Sequence, residues 1–248
     1  MHKSASMFIH QICGFLSALS GIAYHSPNAP GSGITRRMLL TDKEFWNTRH
    51  GCFAPVRFFV DVPRLPEYRV ILHVRDPRDV LVSMFYSYCF IHAGEVPGNT
   101  GYRKKVAEEG IDAFVLAIAR ECAPIYPGDY GTGAGVQDLI GNVVTRYRTY
   151  IDNLLDKPNV TLVKYEEMVT NFRGWLEKFT APFPLPDRRG IVEQLVARQH
   201  EFFPQRGQEV MAHVRRVTPG DHRKKLKPET IDELNGIFGD VLARLGYE

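Results

Sequence analysis

The stretch Val70–Phe90, VILHVRDPRDVLVSMFYSYCF, decides the fold. Val70, Ile71, Leu72 and Val74 form a short apolar run rich in β-branched residues, the pattern of a buried parallel strand. Pro77 ends the strand and sets a turn. Asp79 falls where a helix cap or first-turn acid is favoured. From Val80 the apolar residues recur at helical spacing, with Val80, Met84 and Tyr88 in line and Leu81 and Phe85 beside them, which predicts a helix over Val80–Phe90. Arg75 closes the strand and Ser83 lies about a turn into the helix, so both point toward the carboxyl edge of the sheet, where open α/β sheets bind ligands. A guanidinium and a hydroxyl converging there suit a phosphate. A turn merely solvated by Arg75, Asp76, Arg78 and Asp79 accounts for the charges but not for the strand-to-helix context.

The string Arg75–Ser83, R-D-P-R-D-V-L-V-S, followed by aromatic residues, resembles the 3′-phosphate-binding motif of the sulfotransferases that use PAPS, 3′-phosphoadenosine 5′-phosphosulfate. The resemblance implies that Arg75 and Ser83 hold the 3′-phosphate. Three companion strings follow the family's order. His2-Lys3-Ser4-Ala5-Ser6-Met7-Phe8 resembles its 5′-phosphosulfate loop, in which backbone N–H groups and a helix N-terminus cradle an anion and a lysine adds a point charge. Lys3 takes the lysine position, Ser4, Ala5, Ser6 and Met7 the loop, and Phe8 an aromatic position against adenine. Two departures stand out: Ala5 replaces a frequent glycine, and Met7 replaces a frequent hydroxyl residue, so that Met7 contributes its backbone N–H alone.

The second companion, Val160–Met168, reads as a strand followed by Tyr-Glu-Glu-Met, and by resemblance places Tyr165 on the adenine base. Taken alone, Tyr165 is an ordinary strand-end aromatic. The third, Arg215–His222, resembles the C-terminal string whose basic residues and glycine wrap the 3′-phosphate. Arg215, Arg216, Gly220 and Asp221 match it, while Val217 replaces a glycine and His222 a tryptophan. Without the resemblance, this charge run reads as a basic surface loop.

A chain of 248 residues suits one sizeable core, so residues 1–248 are expected to form a single domain. The net charge of +3 fits an anion-binding enzyme and lacks the dense basic face of a nucleic-acid binder. Cys13, Cys52, Cys89 and Cys122 show neither C-x-x-C nor metal-ligand spacing and read as reduced core residues of a cytoplasmic protein. The nine histidines likewise show no paired-ligand pattern, so no metal is expected. The apolar residues of Met1–Tyr24 look in part like a signal peptide, with a small-x-small site at Ala18–Ser20. His10 and Gln11 interrupt the run, however, and Phe8, Ile12, Phe15, Leu16 and Leu19 fall on one helical face, which favours a helix after the phosphate loop. No segment approaches transmembrane length.

Strands are expected at Cys52–Phe53, Val56–Phe59, Val70–Val74 and Val160–Lys164. Helices are expected after Lys3, at Thr41–Trp46 (a short turn), Tyr102–Glu121 with an interruption at Gly110, Val136–Asp156, Asp187–Phe203 and Pro228–Leu245. The Gly/Pro-rich segment Tyr126–Gly135 reads as an acceptor-site lid or a plain surface loop. Alternating strands and helices predict an α/β fold with a parallel sheet flanked by helices; the resemblance implies a P-loop nucleoside-triphosphate-hydrolase-like three-layer sandwich. Only Met1 and His2 precede Lys3, so the strand that should carry the loop is missing from the sequence, which leaves three readings: a misplaced start, a gene fragment, or a sheet that lacks its first strand.

The resemblance implies sulfuryl transfer from PAPS to a hydroxyl or amine acceptor, with release of 3′-phosphoadenosine 5′-phosphate (PAP) and no metal. The acceptor is a small molecule, carbohydrate or lipid. Lys3 would stabilise the leaving 5′-phosphate. By order and approximate spacing His50 takes the place of the family's strand histidine as catalytic base, with His73 and His92 as alternatives. Two other classes remain: a non-catalytic PAPS- or PAP-binding relative, and a P-loop kinase. The kinase would want glycines before Lys3-Ser4, and they are absent.

Overall fold

A computed structural model of the chain describes residues 4–27, 29, 31–91, 101–120, 142–202 and 218–247. In chain order its elements are α1 (Ser6–Leu19), β1 (Tyr24–His25), α2 (Arg36–Thr41), α3 (Lys43–Thr48), β2 (Cys52–Phe53), β3 (Val70–Val74), α4 (Pro77–Tyr86), α5 (Tyr102–Arg120), α6 (Val143–Leu154), β4 (Val160–Lys164), α7 (Tyr165–Thr170), α8 (Phe172–Thr180), α9 (Arg188–Ala197), α10 (Gln199–Phe202), α11 (His222–Lys225) and α12 (Pro228–Leu245). They divide into two compact units, Met1–Val74 with Leu154–Pro204, and Arg75–Asn153 with Gln205–Glu248.

In the first unit β3 and β4 pair in parallel, Val70 opposite Val160 through Val74 opposite Lys164, with the limits read from the sequence. Their entry is fixed by Asn159: its carbonyl accepts the Val70 N–H at 2.9 Å, and its side-chain amide donates to the carbonyls of Leu65 and Tyr68. β1 pairs in parallel with β2, Tyr24 opposite Cys52. The strands thus form two separate parallel pairs among the described residues rather than one continuous ladder. β1 and β2, at two residues each, are too short to extend the pairing.

Val56–Phe59 joins no ladder; Pro55 supplies no N–H there, although Phe58 is buried. The single turn expected at Thr41–Trp46 is instead two short helices, because Thr35 and Asp42 each cap one. Thr35 Oγ1 accepts the Met38 N–H and Asp42 Oδ1 accepts the Phe45 N–H. The helix expected at Asp187–Phe203 breaks at Arg198 into α9 and α10.

The core of this unit grows from periodicity. Ile9, Ile12, Cys13 and Leu16 recur on one face of α1 and pack with Val163, Met168, Trp175, Leu176, Phe179, Ile191 and Leu195. Trp175 is fully buried and stacks on Phe179 at 4.4 Å between ring centroids. Each such side chain contributes about 1.5–3 kcal/mol by leaving water. Cys13, Cys52 and Cys89 are free thiols.

In the second unit α4 starts three residues earlier than Val80. Asp76 caps it, its Oδ1 accepting the Arg78 N–H at 2.9 Å, and Pro77 occupies the first helical position. The chain continues past α4 as a π-helical turn over Ser87–Ile91. α5 is interrupted at Gly110 (φ 86°, ψ 172°), as the sequence predicts. Phe85 meets Phe114, and Tyr147 meets Phe238 edge-on. Salt bridges Arg148–Asp240 and Arg244–Asp152 lie at the surface, where each adds at most about 1 kcal/mol. α12 has the predicted limits, opening at Pro228 and closing on Gly246 in the left-handed region. Val136–Gly141, the start of the helix expected at Val136–Asp156, and the whole of Tyr126–Gly135 lie outside the described residues. No described helix is long and apolar enough to cross a membrane.

Candidate functional site

The first unit carries the N-terminal string. α1 opens at Ser6, and Ala5, its N-cap, holds φ 56°, ψ 35° with no side-chain capping bond. No acidic residue stands in the first turn. The helix thus offers its first-turn N–H groups neither a carboxylate of its own first turn nor a capping side chain, an arrangement that suits an anion. Ser4, just before, is buried. The departure at Ala5 has a physical cost: an L-residue in the left-handed region loses about 1–2 kcal/mol, which glycine avoids.

The side chain of Met7 is half exposed. Phe8 lies among aromatic rings, with centroids 5.1 Å from Phe202, 5.8 Å from Trp175 and 6.1 Å from Phe172. Tyr165 is the first residue of α7, directly after β4, and packs partly buried against the same core. Lys3 lies outside the described residues.

The histidines separate by environment. His50 is exposed and precedes β2, which begins only at Cys52; the expected strand position for it is thus corrected to the turn before the strand. Gly51 imposes that turn, with φ 142° and a position where a Cβ would stand 2.3 Å from the Ala23 carbonyl oxygen. The His50 carbonyl lies 3.2 Å from His25 Nε2, and His25 stacks on Phe53. His73 is buried edge-on to Trp175. His92 lies outside the described residues.

The second unit begins at Arg75 and holds the charged joint. Arg75, Asp76, Arg78 and Asp79 are 2%, 5%, 2% and 0% exposed, so these charges do not solvate a turn. Buried charges demand partners. Asp76 takes both the Nε and Nη2 donors of Arg78, at 3.0 and 2.7 Å, and Arg78 Nη1 donates to Asn235 Oδ1 at 2.7 Å. The Arg75 carbonyl accepts the Tyr147 hydroxyl. Ser83, also buried, stands four positions after Asp79 and so on the same face of α4.

Asp79 turns away from helix capping. Its Oδ2 accepts the Gly220 N–H at 2.8 Å, and its Oδ1 accepts the His222 N–H at 2.9 Å and faces His222 Nδ1 at 2.7 Å. Burial alone would raise the Asp79 carboxyl; the His222 hydrogen bonds and the nearby Arg75 charge outweigh it and hold the pKa below the usual value. Gly220 holds φ 78° in the turn. Arg215 and Arg216 lie outside the described residues. The linkage of Asp79 to Gly220 and His222 is not visible in the sequence, where Asp79 reads only as a first-turn acid.

A family model described as a sulfotransferase domain matches residues 63–246. Ser4–Phe8 and His50 precede that span. The crystal structure of mouse sulfotransferase SULT7A1 complexed with PAP is similar at 16% identity, covering 80% of this chain and 68% of that chain, with a TM-score of 0.50. At that identity the likeness shows the fold, the α/β P-loop-like arrangement. No curated protein matches the sequence.

Proposed function

Since the chain belongs to the sulfotransferase domain family, we propose that it moves a sulfuryl group from PAPS to a hydroxyl or amine acceptor and releases PAP. The observation that carries this reading is Arg75: a guanidinium buried to 2% exposure, beside the start of a helix that also buries the Ser83 hydroxyl. That donor set suits a phosphate held by charge-assisted hydrogen bonds. Arg215 and Arg216 would add charge to the same 3′-phosphate. The uncapped start of α1, with Ser4 and Ser6, suits the 5′-phosphate, and Lys3 supplies the point charge. Tyr165, at the carboxyl end of β4, would meet the base, and Phe8 would reach it from the edge of its aromatic cluster.

Transfer makes a bond from the acceptor oxygen or nitrogen to sulfur and breaks the bond from sulfur to the 5′-phosphate oxygen. Charge grows on the leaving phosphate, where Lys3 and the first-turn N–H groups of α1 would stabilise it. The acceptor proton goes to His50, whose exposed ring leaves it open to an acceptor. Acceptors with these demands are small alcohols, phenols, carbohydrates or lipids.

The test is incubation with labelled PAPS and a broad panel of hydroxyl and amine compounds, with mass detection of sulfated products, beside calorimetry of PAP binding. A sulfated product supports the proposal. Tight PAP binding with no product from any acceptor assigns the chain to the non-catalytic relatives. Failure to bind PAP overturns the donor reading.

A further inference from the structure

We infer that Asp79 and His222 are a positioning pair for the 3′-phosphate site: one buried carboxylate fixes the Gly220–His222 backbone against the first turn of α4, the helix that follows Arg75 and carries Ser83. The inference rests on the donor reading above. Three donors converge on Asp79, two of them backbone N–H groups and one an imidazole nitrogen, at 2.7–2.9 Å. Both side chains are sealed from solvent, at 0% and 1% exposure. A carboxylate bound this way is a rigid fixture, because any shift strands a buried charge.

The fixture joins two segments that the donor reading uses. Arg75 lies four positions before Asp79, just ahead of α4, and both are buried; its charge also helps to lower the Asp79 carboxyl. Gly220 and His222 end the C-terminal string whose basic residues are Arg215 and Arg216. Asp79 thus ties the helix that follows Arg75 to the turn into which that string runs. It accepts three donors already and is itself an anion, so it does not touch an anionic ligand. Its effect on the phosphate passes through α4 and the turn.

His222 completes the pair. With Nδ1 directed at Asp79, its tautomer is set by that carboxylate, and Nε2 is buried with no partner among the described residues. Such a ring is costly as packing alone. A phenylalanine would fill the space without an unmet nitrogen. The hydrogen bond to Asp79 is what the imidazole adds.

The test compares affinities for PAP and for adenosine 5′-phosphate, which lacks the 3′-phosphate, in the parent, Asp79→Asn, His222→Phe and His222→Asn. His222→Phe keeps ring volume without the donor; His222→Asn places an amide donor near the position of Nδ1. The expected result is a PAP preference that falls about 10- to 100-fold in Asp79→Asn and His222→Phe, the scale of a lost charge-assisted hydrogen bond. His222→Asn should recover most of it. A purely structural role would weaken both nucleotides alike and leave the preference intact, which overturns the inference. In the unaltered protein, amide hydrogen exchange at Gly220 and His222 should slow more with PAP than with adenosine 5′-phosphate at equal saturation. Equal protection overturns the inference even if the variants fail to fold. A parent with no preference for PAP overturns the donor reading itself, and the positioning role with it.

Discussion

Nδ1 of His222 lies 2.7 Å from Oδ1 of Asp79 across 143 positions of sequence, and neither side chain reaches solvent. The contact ties the first turn of α4 to the turn before α11 with an ionised group. That choice makes the second unit sensitive to acid.

The carboxylate of Asp79 sits below its ordinary pKa, so its contribution to stability is complete above about pH 3.9, the unfolded value, and is lost as the pH falls through the lowered folded value. At neutral pH Asp79→Asn should cost about 3 kcal/mol, the scale of breaking a buried ion pair. The difference between parent and variant should shrink on acidification below about pH 4. Urea unfolding from pH 2 to 7 measures it. A difference of constant size across that range would contradict the assignment.

Arg75→Ala should weaken PAP binding by about 1.5–3 kcal/mol, and Ser83→Ala by about 1 kcal/mol, while adenosine 5′-phosphate is little affected. Titration calorimetry with both nucleotides separates the effects. Equal losses for the two would move the 3′-phosphate elsewhere.

His50→Ala should lower turnover by roughly 10²–10⁴-fold with PAP affinity nearly unchanged, because a base meets the acceptor and not the 3′-phosphate. Lys3→Ala should lower turnover and 5′-phosphate binding together. Full activity in His50→Ala would transfer the role to another group and leave the donor site as argued.

Ala5→Gly should raise stability by about 1 kcal/mol, against the usual direction for glycine, because Ala5 holds φ 56° as an N-cap. Thermal unfolding decides it. A lower midpoint would mean that the loop before α1 does not hold the left-handed conformation in solution.

The sequence made the regular elements with strong periodicity readable. β3, β4 and α12 have their predicted limits because apolar runs and a first-turn proline mark them locally. Apolar spacing marks α4 only from Val80, whereas the capping bond of Asp76 sets the real boundary at Pro77. A strand position for His50 follows from its order and spacing against the family's histidine, while the collision at Gly51 depends on Ala23, far away in sequence. Of the candidate site, Arg75, Ser83, Tyr165 and the loop before α1 were legible as motif positions. The Asp79–His222 linkage was not, since a carboxylate at the third position of a helix gives no local sign that its partners come from the far end of the chain.

The Ala23 carbonyl accepts the Cys52 N–H at 2.8 Å, and it is the same oxygen that leaves no room for a Cβ at Gly51. A ladder of two residues per strand has too few hydrogen bonds to choose its own alignment. Exclusion does the choosing: sliding β2 by one position either way would press the Cβ of His50 or Cys52 into that oxygen. The pairing is therefore all-or-none. A misaligned copy is rejected outright instead of surviving as a slightly weaker one, so the location of His50 is inherited from a collision that only one alignment escapes.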